Sequence, residues 1–143
     1  MDVDRNGLEV LARDECFRLL GSATLGRVGV TTGALPQVLP VNFRLDGERI
    51  VIRTGRGTKL DAATVDAVVA FEVDEIDAAT ESGWSVLVTG VAHEMTDPAE
   101  LAAVRDDPPP RWAPAGDSRV VTISTDLVSG RRIPPRSPEA APS

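Results

Sequence analysis

Between residues 25 and 54 three strand-like runs follow one another with no space for a crossover between them. Leu25 to Thr31, Gln37 to Leu45 and Arg49 to Thr54 are separated only by Thr32-Gly33-Ala34-Leu35-Pro36 and by Asp46-Gly47-Glu48. A parallel pair needs a connection of about a dozen residues or more, so strands joined this tightly run antiparallel. Asp46-Gly47 is a hairpin signal. Pro40 has no N–H to give to a ladder, which makes the second run an edge strand, a bulged strand or one that is interrupted.

The remaining periodicity fits the same kind of sheet. Leu8 to Leu20 reads as an amphipathic helix through Leu8, Leu11, Ala12, Cys16, Leu19 and Leu20, with Gly21 as its stop. Thr58 to Thr64 suits a short helix. Ala67 to Val73 and Trp84 to Glu94 read as strands around an acidic loop, Asp74 to Ser82. Asp97-Pro98-Ala99-Glu100 supplies an N-cap, a proline at the first helical position and a glutamate at the third, for a helix ending near Arg105. Asp107-Pro108-Pro109-Pro110 forces an extended connection, and Arg119 to Asp126 reads as the last strand. From Pro134 onward Pro, Ala and Ser offer no apolar surface to offset the entropy of ordering, so residues 134–143 read as a disordered tail behind one domain over 1–133. The expected fold is mainly β, an antiparallel barrel, closed or partly closed, with a few flanking helices.

Composition narrows the function classes. A formal charge of −7 disfavours a nucleic-acid surface, and three Phe, two Trp and no Tyr leave little for a base-stacking platform. With 42% hydrophobic residues and no long uninterrupted apolar window, no membrane span is expected. The acidic, polar opening Met1-Asp2-Val3-Asp4-Arg5 does not read as a secretory leader, so the expected compartment is the cytoplasm. One cysteine and one histidine, Cys16 and His93, form no metal-ligand spacing, and no metal is expected. Cys16 falls on the apolar face of the first helix, and His93 reads as a solvated strand end.

The chain's single lysine closes Arg53-Thr54-Gly55-Arg56-Gly57-Thr58-Lys59, where an apolar strand runs into two glycines and a hydroxyl residue. Two readings fit: a phosphate cradle built from backbone N–H groups, the Thr58 hydroxyl and the Lys59 charge, or a basic surface turn. The spacing is neither that of a Walker loop nor Gly-x-Gly-x-x-Gly.

Five segments in order extend the picture: Gly26-Arg27-Val28-Gly29-Val30, Pro40-Val41-Asn42-Phe43, Ile52 through Lys59, Val69-Ala70-Phe71-Glu72-Val73-Asp74, and Gly83 through Gly90. Together, over about residues 8 to 133, the chain resembles the pyridoxamine-5′-phosphate-oxidase-like flavin-binding split-barrel family. That resemblance implies an antiparallel split β-barrel forming a homodimer, with FMN in clefts between the subunits. It implies that Arg53, Thr54, Thr58 and Lys59 hold the FMN phosphate and that Val41 and Asn42 lie along the isoalloxazine ring. It also implies that Trp84, Ser85 and Val86 reach the flavin from the neighbouring subunit. The activity implied is flavin-dependent oxidoreduction of a small molecule. The alternatives are a 5-deazaflavin-dependent reductase and a non-catalytic flavin-binding dimer.

No acid or base stands out as catalytic. Glu72 reads as an ion-pair partner for Arg53 or Arg27. The chain departs from vitamin B6 oxidases, which hold a second phosphate on the substrate with basic and tyrosine side chains: here tyrosine is absent and only Arg131 and Arg132 are candidates near the end.

Overall fold

The computed structural model describes residues 2–109 and 118–135. Along the chain these form β1 (Glu9–Val10), α1 (Arg13–Ser22), β2 (Leu25–Thr32), β3 (Leu35–Asn42), β4 (Arg44–Asp46), β5 (Arg49–Gly55), α2 (Lys59–Ala63), β6 (Ala67–Asp77), β7 (Ser82–Glu94), α3 (Pro98–Asp106), β8 (Ser118–Ile123) and β9 (Leu127–Ile133). The strands make one antiparallel sheet in the order β3-β2-β6-β7-β8-β5-β4, with β9 on β7 and β1 on β9.

β7 organises the sheet. One edge pairs with the whole of β6, from Ala67 opposite Ala92 to Asp77 opposite Ser82. Its other edge is divided, Gly83 to Thr89 pairing with β9 and Ala92 to Glu94 with β8. β3 and β4 stand at opposite ends of the strand order, yet one residue, Phe43, joins them. The sheet must therefore curl until its two outer edges face one another, which makes a barrel split along that seam rather than a closed one. Pro40 lies on β3, the edge strand, where a missing N–H is tolerated.

Period-two alternation sets the interior. Val69, Phe71 and Val73 of β6 and Val86 and Val88 of β7 are buried, while Ala70, Glu72 and Leu87 face outward. Phe43 is fully buried at the seam, its ring edge-on to Phe71 at 4.9 Å and 72°. β5 breaks the alternation by burying Ile50, Val51 and Ile52 in succession. Ile50 and Ile52 enter the barrel, whereas Val51 lines a crevice with Ala103 and Val104 of α3, so this strand is covered on both faces. α1 buries Cys16, Leu19 and Leu20, as its apolar stripe requires.

Several boundaries differ from the sequence expectation. The acidic loop expected over Asp74 to Ser82 is mostly strand, because Asp74 to Asp77 pair with Ser85 to Ser82 and carry β6 and β7 on to a short turn. The first helix starts at Arg13 rather than Leu8, because Glu9 and Val10 pair with Arg132 and Arg131, and the Leu11 N–H bonds to the Gly130 carbonyl. The run from Gln37 to Leu45 breaks at Phe43, whose N–H turns to the Thr24 carbonyl at 3.0 Å. The predicted strand Arg119–Asp126 ends at Ile123, and a further strand, β9, follows from Leu127 to Ile133. Residues 136–143 of the expected tail lie outside the described residues.

Arg131 and Arg132 are consequently parts of β9. Arg131 Nε pairs with Asp4 at 2.8 Å, and Arg132 reaches Glu9 at 3.5 Å and Glu15 at 3.1 Å. Hydrogen bonds from Arg18 first, then Arg132, hold the Glu15 carboxyl down from 4.5 to about 2. A carboxylate depressed on folding contributes stability that is complete above its unfolded value and lost as pH falls through its folded value. For Glu15 that window runs from pH 4.5 down to about 2. Glu15→Gln should therefore flatten the decline of the urea midpoint across this window while leaving the decline from other carboxylates. A variant curve parallel to the native one would remove Glu15 from the acid response.

Candidate functional site

β5 ends in the turn that the sequence marked as a cationic motif. Gly57 takes φ 78°, a left-handed conformation that a side chain disfavours. The Thr58 N–H and hydroxyl both donate to the Gly55 carbonyl, at 3.2 and 2.7 Å, closing the turn. Thr58 then caps α2, its hydroxyl oxygen accepting from the Asp61 N–H at 3.1 Å.

Asp61 fills the inside of this turn. Its Oδ2 accepts the Gly57 N–H at 3.0 Å and its Oδ1 the Thr54 hydroxyl at 2.9 Å. Arg119 Nε, on the neighbouring strand, lies 2.9 Å from the same Oδ1, out of line for a hydrogen bond but close enough to balance charge. The other arm of Arg119 donates to Glu94 at 2.8 Å. Asp61 is 5% exposed and Thr54 1%. Burial pushes the Asp61 carboxyl up, but the Gly57 N–H, the Thr54 hydroxyl and the charges of Arg119 and Arg56 outweigh it and leave the group below the usual aspartate range.

The predicted phosphate residues thus divide. The hydroxyls of Thr54 and Thr58 are engaged inside the turn, whereas Arg53 is half-buried at the end of β5 and Lys59 is exposed at the start of α2. Arg56, exposed at the tip, adds a third cationic side chain. Asp61 and Arg119 are the members that the sequence reading missed. The signal for Asp61 was Thr58-x-x-Asp61, a capping-box spacing, with the acid reaching one residue further back than the box prescribes, whereas Arg119 arrives from a distant strand and had no local signal.

The residues expected along the ring lie at the seam. Val41 turns its side chain into the core and Asn42 ends β3, half-buried. Asn42 stands opposite Leu25 on β2. Trp84, Ser85 and Val86 are elsewhere. Trp84 is half-buried against the core, Val86 is fully buried, and Ser85 stands between Asp74 and Arg131 on the outer face. Trp84 is ten residues before Glu94, the β7 residue that Arg119 grips, which is about 33 Å of extended strand. A single chain does not bring Trp84 to the cationic turn.

The other singled-out groups are accounted for locally. Arg27 pairs with Glu72 at 3.1 Å and Asp74 at 2.7 Å across the outer face of the sheet. Burial, with Asp74 beside it, raises the Glu72 carboxyl. His93 is exposed, its Nδ1 2.7 Å from Asp66. Among the described residues no helix is long and apolar enough to cross a membrane, and no three His, Cys, Asp or Glu side chains gather as metal ligands.

Comparison with known proteins agrees with this architecture. A protein of Mycobacterium tuberculosis, Rv0080, is 41% identical over 128 residues, covering 86% of this chain and 84% of its own length. The solved FAD binding protein from Mycobacterium smegmatis superposes with a TM-score of 0.77 at 34% identity, covering 88% of this chain and 100% of its own. An FAD-binding protein from Mesorhizobium loti gives 0.75 at 22% identity, with 89% and 99% covered, and so shares the fold. Residues 12–132 match the family model described as pyridoxamine 5′-phosphate oxidase, and with the split barrel in view the chain belongs to that family.

Proposed function

We propose that this protein binds a flavin by its phosphate, with the turn from Arg53 to Lys59 as the anchor. The observation that carries it is the succession of Arg53 near the end of β5, Arg56 on the turn and Lys59 at the start of α2, along a turn whose backbone is locked from inside. Cationic side chains on a fixed frame recognise a phosphate without first ordering a loop. When bound, flavin supplies hydride or electron transfer, while the chain's residues bind and orient it. FMN is the smallest ligand that satisfies the site. FAD, for which the Mycobacterium smegmatis relative is named, presents phosphate at the same end of its ribityl chain, as does a phosphorylated 5-deazaflavin.

The activity that follows is oxidoreduction of a small molecule other than pyridoxamine phosphate. A second phosphate would need further cations, and Arg131 and Arg132 are committed to Asp4, Glu9 and Glu15. Mass and absorbance of the chromophore that co-purifies will distinguish FMN, FAD and deazaflavin. A colourless protein that takes up none of the three at micromolar concentration would overturn the proposal. NAD(P)H consumption by the coloured protein separates an oxidoreductase from a non-catalytic flavin carrier.

The shared site requires a second copy. Val38, Gly29, Ala70, Thr89 and Leu127 stand in one register row across five strands of the outer face, with Val38 69% and Leu127 68% exposed. Such an apolar band favours association of two identical chains, and in the dimer Trp84 of one copy reaches the turn of the other. Sedimentation should give twice the 15.1 kDa chain mass. A monomer holding flavin tightly would end the role given to Trp84.

A further inference from the structure

Asp61 carries a negative charge in the middle of a motif that is otherwise built to attract one. We infer that Asp61 is a positioning residue, an internal anion that shapes the turn from beneath so that an external phosphate is met by cationic side chains on its outer side. The geometry sets this division of labour, resting on the phosphate reading of the same turn.

Each carboxylate oxygen holds a different part. Oδ2 fixes the backbone at Gly57, the residue with left-handed φ, while Oδ1 ties the turn to β5 through the Thr54 hydroxyl. Thr58 completes the clamp, since its hydroxyl oxygen accepts from the Asp61 N–H while its hydrogen goes to Gly55. The groups a phosphate cradle would ordinarily present, a glycine N–H and a threonine hydroxyl, are thereby satisfied before any ligand arrives. Arg119 is held too, with Nε beside Asp61 and its other arm on Glu94. Arg119 therefore balances the buried carboxylate, and affinity for an external anion falls to side chains above.

An amide at this position cannot reproduce the clamp. Asn offers one acceptor where Asp61 uses two, and its NH2 must face the Gly57 N–H or stand beside the Arg119 guanidinium. Asp61→Asn should loosen the turn, speeding hydrogen exchange at the Gly57 amide in the flavin-free protein by about tenfold or more. It should also weaken FMN binding by about tenfold and leave riboflavin binding within about twofold, because riboflavin does not use the turn. Thr54→Val, which removes one donor and keeps the shape, should move FMN binding in the same direction by less, and it serves if Asp61→Asn does not fold.

Fluorescence titration of both variants with FMN and riboflavin, beside Lys59→Ala, decides the matter. Loss of FMN preference in Lys59→Ala together with either clamp variant supports the inference. If Lys59→Ala loses that preference while Asp61→Asn and Thr54→Val bind FMN like the native protein, the positioning role is wrong and the phosphate reading stands. If Lys59→Ala binds FMN and riboflavin with unchanged preference, the phosphate reading fails and the inference with it. Unchanged exchange at Gly57 in Asp61→Asn would overturn the clamp whatever the ligand does.

Discussion

Gly90→Ala should abolish folding or leave a protein that melts far below the native one. A Cβ on Gly90 would lie 1.7 Å from the carbonyl oxygen of Ser124 and 2.6 Å from its carbonyl carbon, closer than any contact can be. Neither backbone can yield cheaply. Ser124 is fastened to the next residue of β7, its N–H donating to the Val91 carbonyl at 3.1 Å and its hydroxyl oxygen accepting the Val91 N–H at 2.9 Å. Gly90 also lies where β7 changes partner, between Thr89 opposite Leu127 and Ala92 opposite Ile123. Displacing Ser124 thus disturbs both β8 and β9. Overpacking costs about 1–3 kcal/mol where side chains can adjust, and a backbone clash in a fixed crossing belongs at or above that upper end. Against a total stability of roughly 5–15 kcal/mol, this removes a large share of the margin that keeps the chain folded. Urea unfolding measures it directly, and a midpoint within a few tenths molar of native would mean that the crossing is not the fixed point described.

Lys59→Ala should weaken FMN binding roughly tenfold while riboflavin affinity stays level. A charge-assisted bond to phosphate contributes about 1.5–3 kcal/mol when both partners are sheltered from water. Lys59 is exposed, which places it at the lower end, whereas Arg53 is half-buried and its loss should cost more. Riboflavin has the same ring and ribityl chain without the phosphate, so the ratio of the two affinities isolates the anchor from ring contacts. Fluorescence titration of native and variant proteins with both ligands gives that ratio, and equal losses would take the phosphate away from this turn.

How far these features were legible in the sequence depended on how locally they are encoded. β6 and β7 alternate apolar and outward residues over long stretches, and α3 carries its own start signal, with the Asp97 side chain accepting the Glu100 N–H at 3.1 Å. β9 was not legible because Arg131 and Arg132 look like a polar chain end until Asp4, Glu9 and Glu15 are brought to them from more than a hundred residues away. The same long-range pairing turned Glu9 and Val10 into a strand, although Leu8 and Leu11 stand at helical spacing to Cys16 and Leu19. At the turn, the cationic residues were legible one by one. What the sequence concealed was direction: Thr54 and Gly57 donate inward, to an aspartate that follows Lys59 by two residues.

Phe43 has a consequence for how the barrel breathes. Edge strands ordinarily fray independently, each opening at its own rate because nothing ties one margin of a sheet to the other. Here the two margins are the same stretch of chain, since β3 passes into β4 through one fully buried residue. Peeling β3 from β2 pulls Phe43 away from Phe71 and drags β4 from β5, so the margins open as one cooperative unit. New termini placed at this residue by circular permutation would sever that linkage, and amide exchange in β3 and β4 would then proceed at two separate rates. The seam is the latch of the barrel, and a single phenylalanine is its pin.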